Sequence, residues 1–337
     1  ALFPEYNLGS PGSTTTMACW NKDIDIQKNT VDVGSGAQYP QFMNNAQRLA
    51  LEAILWHLPD NVCLGELIYF VPVELMAKVF LQGPYDSASG LMHDSLRLAT
   101  PTILIPTSEP YTAINAAFPT SFTKVNNFVT ETITIPTVLT NPGPTAIVDW
   151  VWLELRDKTN NTVVLASRSA LVRRDGNIVD LDGTSAVLFP DSYADDYFVL
   201  VRHRNHLGAM TASAINLTGA HFVDFTVAAQ PTFGTTATSA RKLIKTATYG
   251  LIAGNVIPKS TGGYQLIYNN LDNDRAPILT VVGASTPLNT VYNVYMLEDV
   301  NMDRKVRYNN ADNDRVIILN NVGASTPLNI ITQQPNF

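Results

Sequence analysis

The sequence predicts a mainly β chain: an antiparallel β-sandwich, one N-terminal helix, and a small duplicated loop–helix pair near the C-terminal end. Three observations carry this. Residues 146–229 hold four runs of β-branched and aromatic residues separated by Gly, Asn and Asp turns, the cadence of an antiparallel sandwich. Charged residues make up 15% of the 337 and apolar residues 45%. Charge is thus well below the usual quarter, and neutral polar side chains must cover the exposed faces. Residues 268–289 also recur at 308–329 with 17 of 22 positions identical, which sets a repeated unit apart from the strands.

Taken in chain order, residues 1–36 are rich in Gly, Ser and Thr with short extended pieces, which predicts an arm. Segment 41–58 is the clearest helix. Leu49, Ala50, Ala53, Ile54 and His57 follow three-to-four spacing, and Pro59 stops the run. Strands begin at about residue 74, with a loop through 83–97. Ile147, Asp149, Val151, Leu153 and Leu155 alternate with Val148, Trp150 and Trp152, and Thr159-Asn160-Asn161 turns the chain into 162–173. Further strands are expected at 195–203 and 221–228. The division that follows is 1–73 (arm plus helix, an assembly region), 74–229 (sandwich) and 230–337 (linker and duplicated module, copies at 255–289 and 295–329).

Composition excludes several classes of function. The net charge is −7 with no basic stripe, which argues against nucleic acid as a partner. The most apolar stretch, 62–81, is interrupted by Glu66, Pro72, Glu74 and Lys78, so no membrane span is expected. The first residue is Ala1, and removal of an export leader is the expectation. Cys19 and Cys63 leave one disulfide and two thiols equally open. No G-x-S-x-G elbow, H-E-x-x-H or G-K-[ST] loop is present, so no catalytic residues are assigned and the chain is not read as an enzyme.

Four constellations have competing readings. His203 and His206 have metal-like spacing but sit at a strand end before Gly208, which favours a structural or surface role over zinc. Asp175, Asn177, Asp180 and Asp182 read as two tight Asp-Gly turns before they read as an ion site. Trp150 and Trp152 lie on one strand face, for core packing or else as a platform for sugars. Ahead of the second repeat copy, Asp299, Asn301 and Asp303 alternate, as positions 1, 3 and 5 of a loop that aims oxygens at a hard cation. Lys305 would add its carbonyl at position 7, and Arg304 stands where such loops usually carry Gly. A strict offset of 40 places Lys259, Thr261 and Gly263 at the same positions of the first copy, which predicts scaffold without metal.

Several blocks resemble one family: GPYDSASGLM (83–92), IPTSEPY (105–111), IVDWVWLELRDK (147–158), ASRSALVRRDGNIVDLDG (166–183), YFVLVRHRNHLGAMTAS (197–213), HFVDFT (221–226) and EDVNMDRKVRYNNADNDR (298–315). Together they are similar to the carboxy-terminal unit of large secreted surface proteins of Bacteroidota, haemagglutinin-like with a dockerin-like repeat. The resemblance covers roughly residues 75–330 in collinear order. It implies export, a β-sandwich and a terminal calcium-binding loop–helix pair, and no catalytic activity. It also implies a late carboxylate at Asp314, with Asp312 its neighbour, so the expected calcium set is Asp299, Asn301, Asp303, Lys305, Asp312 and Asp314. Asp86-Ser87-Ala88 and Asp94-Ser95-Leu96 match the Asp-Ser/Thr-apolar pattern on which Bacteroidota attach O-glycans, predicting glycosylation at Ser87 and Ser95.

The function expected is that of an extracellular structural protein. It would assemble with copies of itself into a filament, sheath or surface layer, stabilised by one calcium ion, its arm adding a strand to a neighbour's sheet edge. The alternative is a cell-surface adhesin that binds glycans or a host surface through the sandwich loops. A third reading takes the repeat as a plug for a separate receptor module.

Overall fold

The computed structural model describes residues 72–125, 130–219, 221–234, 241–258 and 264–333, together with the backbone at 18–19 and 63–64. The chain divides into two compact units, Ala1–Phe70 and Val71–Phe337. Within the first, β1 (Ala18–Cys19) and β2 (Cys63–Leu64) pair antiparallel, with Cys19 opposite Cys63 in the register. The helix expected at 41–58 and most of the arm lie outside the described residues.

The second unit grows from its longest strand. Residues Ile147–Asp157 form β6, and every residue from 147 to 156 is buried. The burial extends to Asp149, Glu154 and Arg156. The reason is a cover that local sequence does not reveal. Tyr111 donates its hydroxyl to the Trp150 carbonyl at 3.0 Å, and Trp150 Nε1 donates to the Pro106 carbonyl at 2.9 Å. Tyr111, Phe122 and Trp152 stack obliquely with ring centroids 4.7–5.7 Å apart. Both Trp rings are thus closed into the core, which rules out a sugar platform at these positions.

Around this strand the fold is mainly β and antiparallel, as the sequence predicts. The other strands of the sheet are β3 (Pro72–Lys78), β7 (Val164–Arg173), β8 (Asn177–Val179), β9 (Val187–Tyr193), β10 (Asp196–His203), β11 (His206–Met210), β12 (Ile215–Asn216) and β13 (His221–Asp224). The small hairpin β4 (Tyr85–Asp86) and β5 (Leu91–Met92) and the helix α1 (Tyr111–Ala117) lie between β3 and β6 in sequence. The sheet runs β11-β10-β6-β7-β8-β3-β13, with β12 added to β10 and β9 to β3. Its pairs are antiparallel except β3 with β13.

After the two-stranded β14 (Lys242–Lys245) and β15 (Thr248–Gly250), the duplicated region forms two strand–helix–strand copies. The first holds β16 (Gln265–Ile267), α2 (Arg275–Val282) and β17 (Thr290–Tyr292). The second holds β18 (Lys305–Arg307), α3 (Asp314–Val322) and β19 (Ile330–Thr332). Pairing is reciprocal: β16 joins β19, and β17 joins β18. Each copy therefore borrows both of its strand partners from the other. The helices bury Ile278, Val282, Ile318 and Val322 in one shared core, the mutual packing that the repeat predicts.

The identities shared by the copies have local causes. Asn270, Asp272, Asn310 and Asp312 all have φ between 53° and 87°, a left-handed conformation that Asn and Asp tolerate best after Gly. Asn273 and Asn313 accept from the amides of Ala276 and Val316 and so cap the helix starts. Gly283 (φ 92°) and Gly323 (φ 105°) end the helices, and an added Cβ would stand 2.5 Å from the hydroxyl of Thr286 or Thr326. Asn289 and Asn329 then donate to the carbonyls of Val282 and Val322. The repeat is a capping program written twice.

The repeat also packs on the sandwich. Leu207 of β11 belongs to the repeat's core, and the 206–207 backbone pairs with Ile252 and Ala253. The division expected at 229/230 is therefore not a break between compact units.

Candidate metal centre

The loop from Asp299 to Lys305 curls through a ladder of side-chain acceptors. Asp299 accepts from the amides of Asp303 (3.0 Å) and Arg304 (2.9 Å). Asn301 accepts from Asp303, and Asp303 accepts from Lys305, each at 3.0 Å. These bonds turn the oxygens at 299, 301 and 303 to the concave side of the loop. Met302 (φ 60°) and Arg304 (φ 73°) are left-handed, so the position where the sequence has Arg for Gly does demand the glycine conformation.

Asp314 closes the loop from the start of α3. Its carboxylate accepts from Val300 (2.8 Å), Asn301 (3.4 Å) and Arg307 (2.8 Å). Asp299 and Asp314 are both fully buried. Their hydrogen bonds come from backbone amides, and among the described residues neither forms an ion pair with Lys or Arg. Buried charges are ordinarily paired or bound to metal. Burial first, and then the Asp314 and Asp303 charges, push the Asp299 carboxyl well above the usual range, with partial relief from Arg204. Burial raises Asp314 to about 7, against the pull of its three amide donors.

The other expected ligands fall on either side of this pair. Asp303 is half-buried and also pairs with Arg307 at 2.9 Å. Lys305 opens β18, opposite Tyr292. Asp312 is exposed, and it is its carbonyl that faces the loop, accepting from Asn301 Nδ2 at 3.2 Å and Arg307 Nη1 at 2.9 Å. Among the described residues, no group of three or more His, Cys, Asp or Glu side chains converges as a metal cluster by itself. The side-chain oxygens at the loop are instead mixed, from carboxylates and the Asn301 amide. Such a set fits a hard cation of flexible coordination such as calcium.

The first copy corrects the strict offset of 40. Asp274 accepts from Val256, Ile257 and Ile267 as Asp314 does from Val300, Asn301 and Arg307. This equivalence sets Asn255 opposite Asp299 and Ile257 opposite Asn301, in a loop four residues longer than the second. Lys259, Thr261 and Gly263 lie outside the described residues. Position 1 of the first copy is a neutral amide, buried, with its Oδ1 unpartnered. Allowing a gap and matching Asn255-Val256 to Asp299-Val300 ahead of the two YNN turns would have found it in the sequence.

Sequence reasoning also missed the buried polar network beside the loop. Asp149, fully buried, accepts from His203 (3.1 Å), Arg204 (2.9 Å) and the Tyr295 hydroxyl (2.6 Å). Against its burial, Arg204 first and then His203 and Tyr295 hold its carboxyl at about 2. His203 and His206 touch through their Nδ1 atoms at 3.0 Å, both buried, and their role is structural. Asp175, Asp180 and Asp182 flank or form turns, while Asn177 opens β8. Asp175 pairs with Arg173 and Asp180 with Arg168, while Asp182 accepts from Thr184 and Ser185. Ser87 is exposed at the tip of the β4–β5 hairpin, whereas Ser95 is half-buried between buried Asp94 and Leu96.

No family model matches the chain, and no curated protein matches it. Among solved structures it is similar to a C-terminal interface mutant of the type II cohesin–X-dockerin complex from Acetivibrio cellulolyticus. There the identity is 15% over 51% of this chain and 79% of that one, with a TM-score of 0.25. A likeness this slight carries no argument. No helix among the described residues is long and apolar enough to cross a membrane.

Proposed function

We propose that this chain is a structural protein of the cell exterior whose terminal repeat is stapled by one calcium ion and which assembles with copies of itself. The observation that carries the calcium reading is the pair of buried carboxylates, Asp299 and Asp314, neither of them ion-paired with a Lys or Arg among the described residues. Asp299, Asn301, Asp303, Asp314 and the Lys305 carbonyl would hold the ion. Exposed Asp312 would stay outside the set. The ion would neutralise the crowded charge and lock the loop between β17–β18 and α3. Since each copy is completed by the other, a staple at one loop would steady both.

Assembly is supported by what the repeat leaves uncovered. Leu271, Leu288, Leu328 and Tyr292 are 63–85% exposed on this small module. Exposed apolar groups of this size would suit a contact surface, and a chain with only 15% charged residues suits burial of its surface in subunit contacts. Ser87 is the better placed of the two glycan acceptors, and an intact mass equal to the bare polypeptide would remove glycosylation from this reading.

The test is sedimentation and negative-stain imaging of the full chain with calcium and with chelator. Ordered oligomers or filaments that loosen on chelation are expected. Monomers in both conditions would overturn self-assembly, and glycan-array binding by those monomers would turn the assignment to an adhesin.

A further inference from the structure

Four residues of the sandwich form the turn between β10 and β11: His203, Arg204, Asn205 and His206. All are buried, although turns normally run over the surface because their backbone groups need partners. Their partners are in the repeat. Asn205 Nδ2 donates to the carbonyls of Asp299 (2.8 Å) and Leu297 (3.1 Å). The Asn205 carbonyl accepts from Gly254 (2.9 Å) and Asn255 (3.1 Å). One side chain and its own backbone thus hold position 1 of both loops. Arg204 adds a bond to the Met296 carbonyl and lies over the Tyr295 ring at 4.3 Å.

The tautomers along this turn are fixed by their neighbours. His206 Nε2 faces the Gly83 amide at 3.1 Å and must accept, so its Nδ1 carries the proton and donates to Asn205 Oδ1 at 2.8 Å. That bond orients the Asn205 amide with its NH2 toward the ion loop. Gly83 itself lies against the loop, where a Cβ would come 2.2 Å from the Val300 carbonyl. His93 Nε2, from beyond the β4–β5 hairpin, meets the Asn301 carbonyl at 3.1 Å and can only donate there. The main-chain carbonyls at positions 1 and 3 of the loop therefore both accept from sandwich donors, which fixes the backbone that carries the Asp299 and Asn301 side chains.

Building on the calcium reading above, we propose that Asn205 is a positioning residue for the ion: it presets the loop, so that calcium affinity belongs to the joined sandwich and repeat. Asn205 does not supply an oxygen to the site. Residues that orient ligands without touching the metal typically change its affinity by about 10–100-fold.

The experiment is calcium titration of the full chain by calorimetry, with melting curves in calcium and in chelator. Asn205→Asp keeps the acceptor for His206 but turns an oxygen toward two carbonyls. It should weaken calcium binding by about 10–100-fold and shrink the calcium-dependent rise in Tm. Gln82→Ala is the control, because Gln82 joins sandwich to repeat at Ala253 and Asn321, away from the loop. It should lower Tm equally with and without calcium and leave the Kd unchanged. If Asn205→Asp does not fold, His93→Phe, which removes the donor to Asn301, carries the same expectation. Wild-type protein that takes up no calcium overturns both this inference and the calcium reading. Wild-type protein that binds, with Asn205→Asp (or the substitute His93→Phe) binding equally well or Gln82→Ala equally weakened, overturns this inference alone.

Discussion

The two copies of the terminal repeat share their caps, turns and helix cores and differ at the loop that precedes them. In the second copy a buried aspartate at 299 faces buried Asp314; in the first, buried Asn255 stands at the same place before Asp274. The closing aspartate is used alike in both, taking three backbone amides that tie the loop to the helix start. A carboxylate at that position is thus part of the scaffold whether or not an ion is present. In the calcium reading we propose, charge at the first position is what would separate an ion site from a frame.

Asp299→Asn converts the second copy to the pattern of the first and has the largest expected effect. Calorimetric calcium binding should vanish together with the calcium-dependent rise in Tm. In chelator the variant should melt at or above wild type, because a buried unpaired charge has been removed. A retained calcium response would erase the distinction between the copies.

The reverse change, Asn255→Asp, places a charge where Ile257 replaces the second oxygen ligand. A loss of roughly 3 kcal/mol is expected by denaturant unfolding, and calcium should not restore it. Rescue by calcium would mean that the first loop is a dormant site.

The pH dependence should separate the ion-free and ion-bound states. Asp314 is raised to about 7, and Asp299 is raised as well. The folded form therefore holds protons that the unfolded chain releases near pH 4. Between about pH 4 and 7 the calcium-free protein should lose stability as pH rises. With saturating calcium that decline should disappear, so the Tm gain from calcium grows from pH 5 to pH 8. A gain independent of pH would place the ion elsewhere.

Two smaller effects probe what the copies share and where they part. Gly283→Ala and Gly323→Ala should each cost about 1–2 kcal/mol for the left-handed backbone, and equally, since the two caps match. Unequal losses in urea would show that the copies are not equivalent at their helix ends. Arg304→Gly relieves the left-handed conformation at φ 73° and should stabilise the second loop by about 1 kcal/mol. A loss instead would give the Arg304 side chain a role in holding the loop.

The sequence by itself determined the mainly β antiparallel body, the duplicated unit and the alternating oxygens at Asp299, Asn301 and Asp303. These are legible because strand alternation, turn chemistry and caps act between residues a few positions apart. The Asn and Gly identities of the repeat are of this kind, since each side chain closes a bond within its own turn. Only the tertiary structure decided that β6 is dry on both faces, since its cover comes from residues 106–122. The register of Asn255 against Asp299 was open to a gapped match of the sequence, and three amide bonds to Asp274 fix it where matching at a strict offset ran four residues out. The tertiary structure also turned His203–His206 from a strand end into a buried turn that bonds to the backbone at 254–255, 297 and 299. Asn205 and Asp299 lie 94 residues apart, and no local pattern encodes a hydrogen bond over that distance.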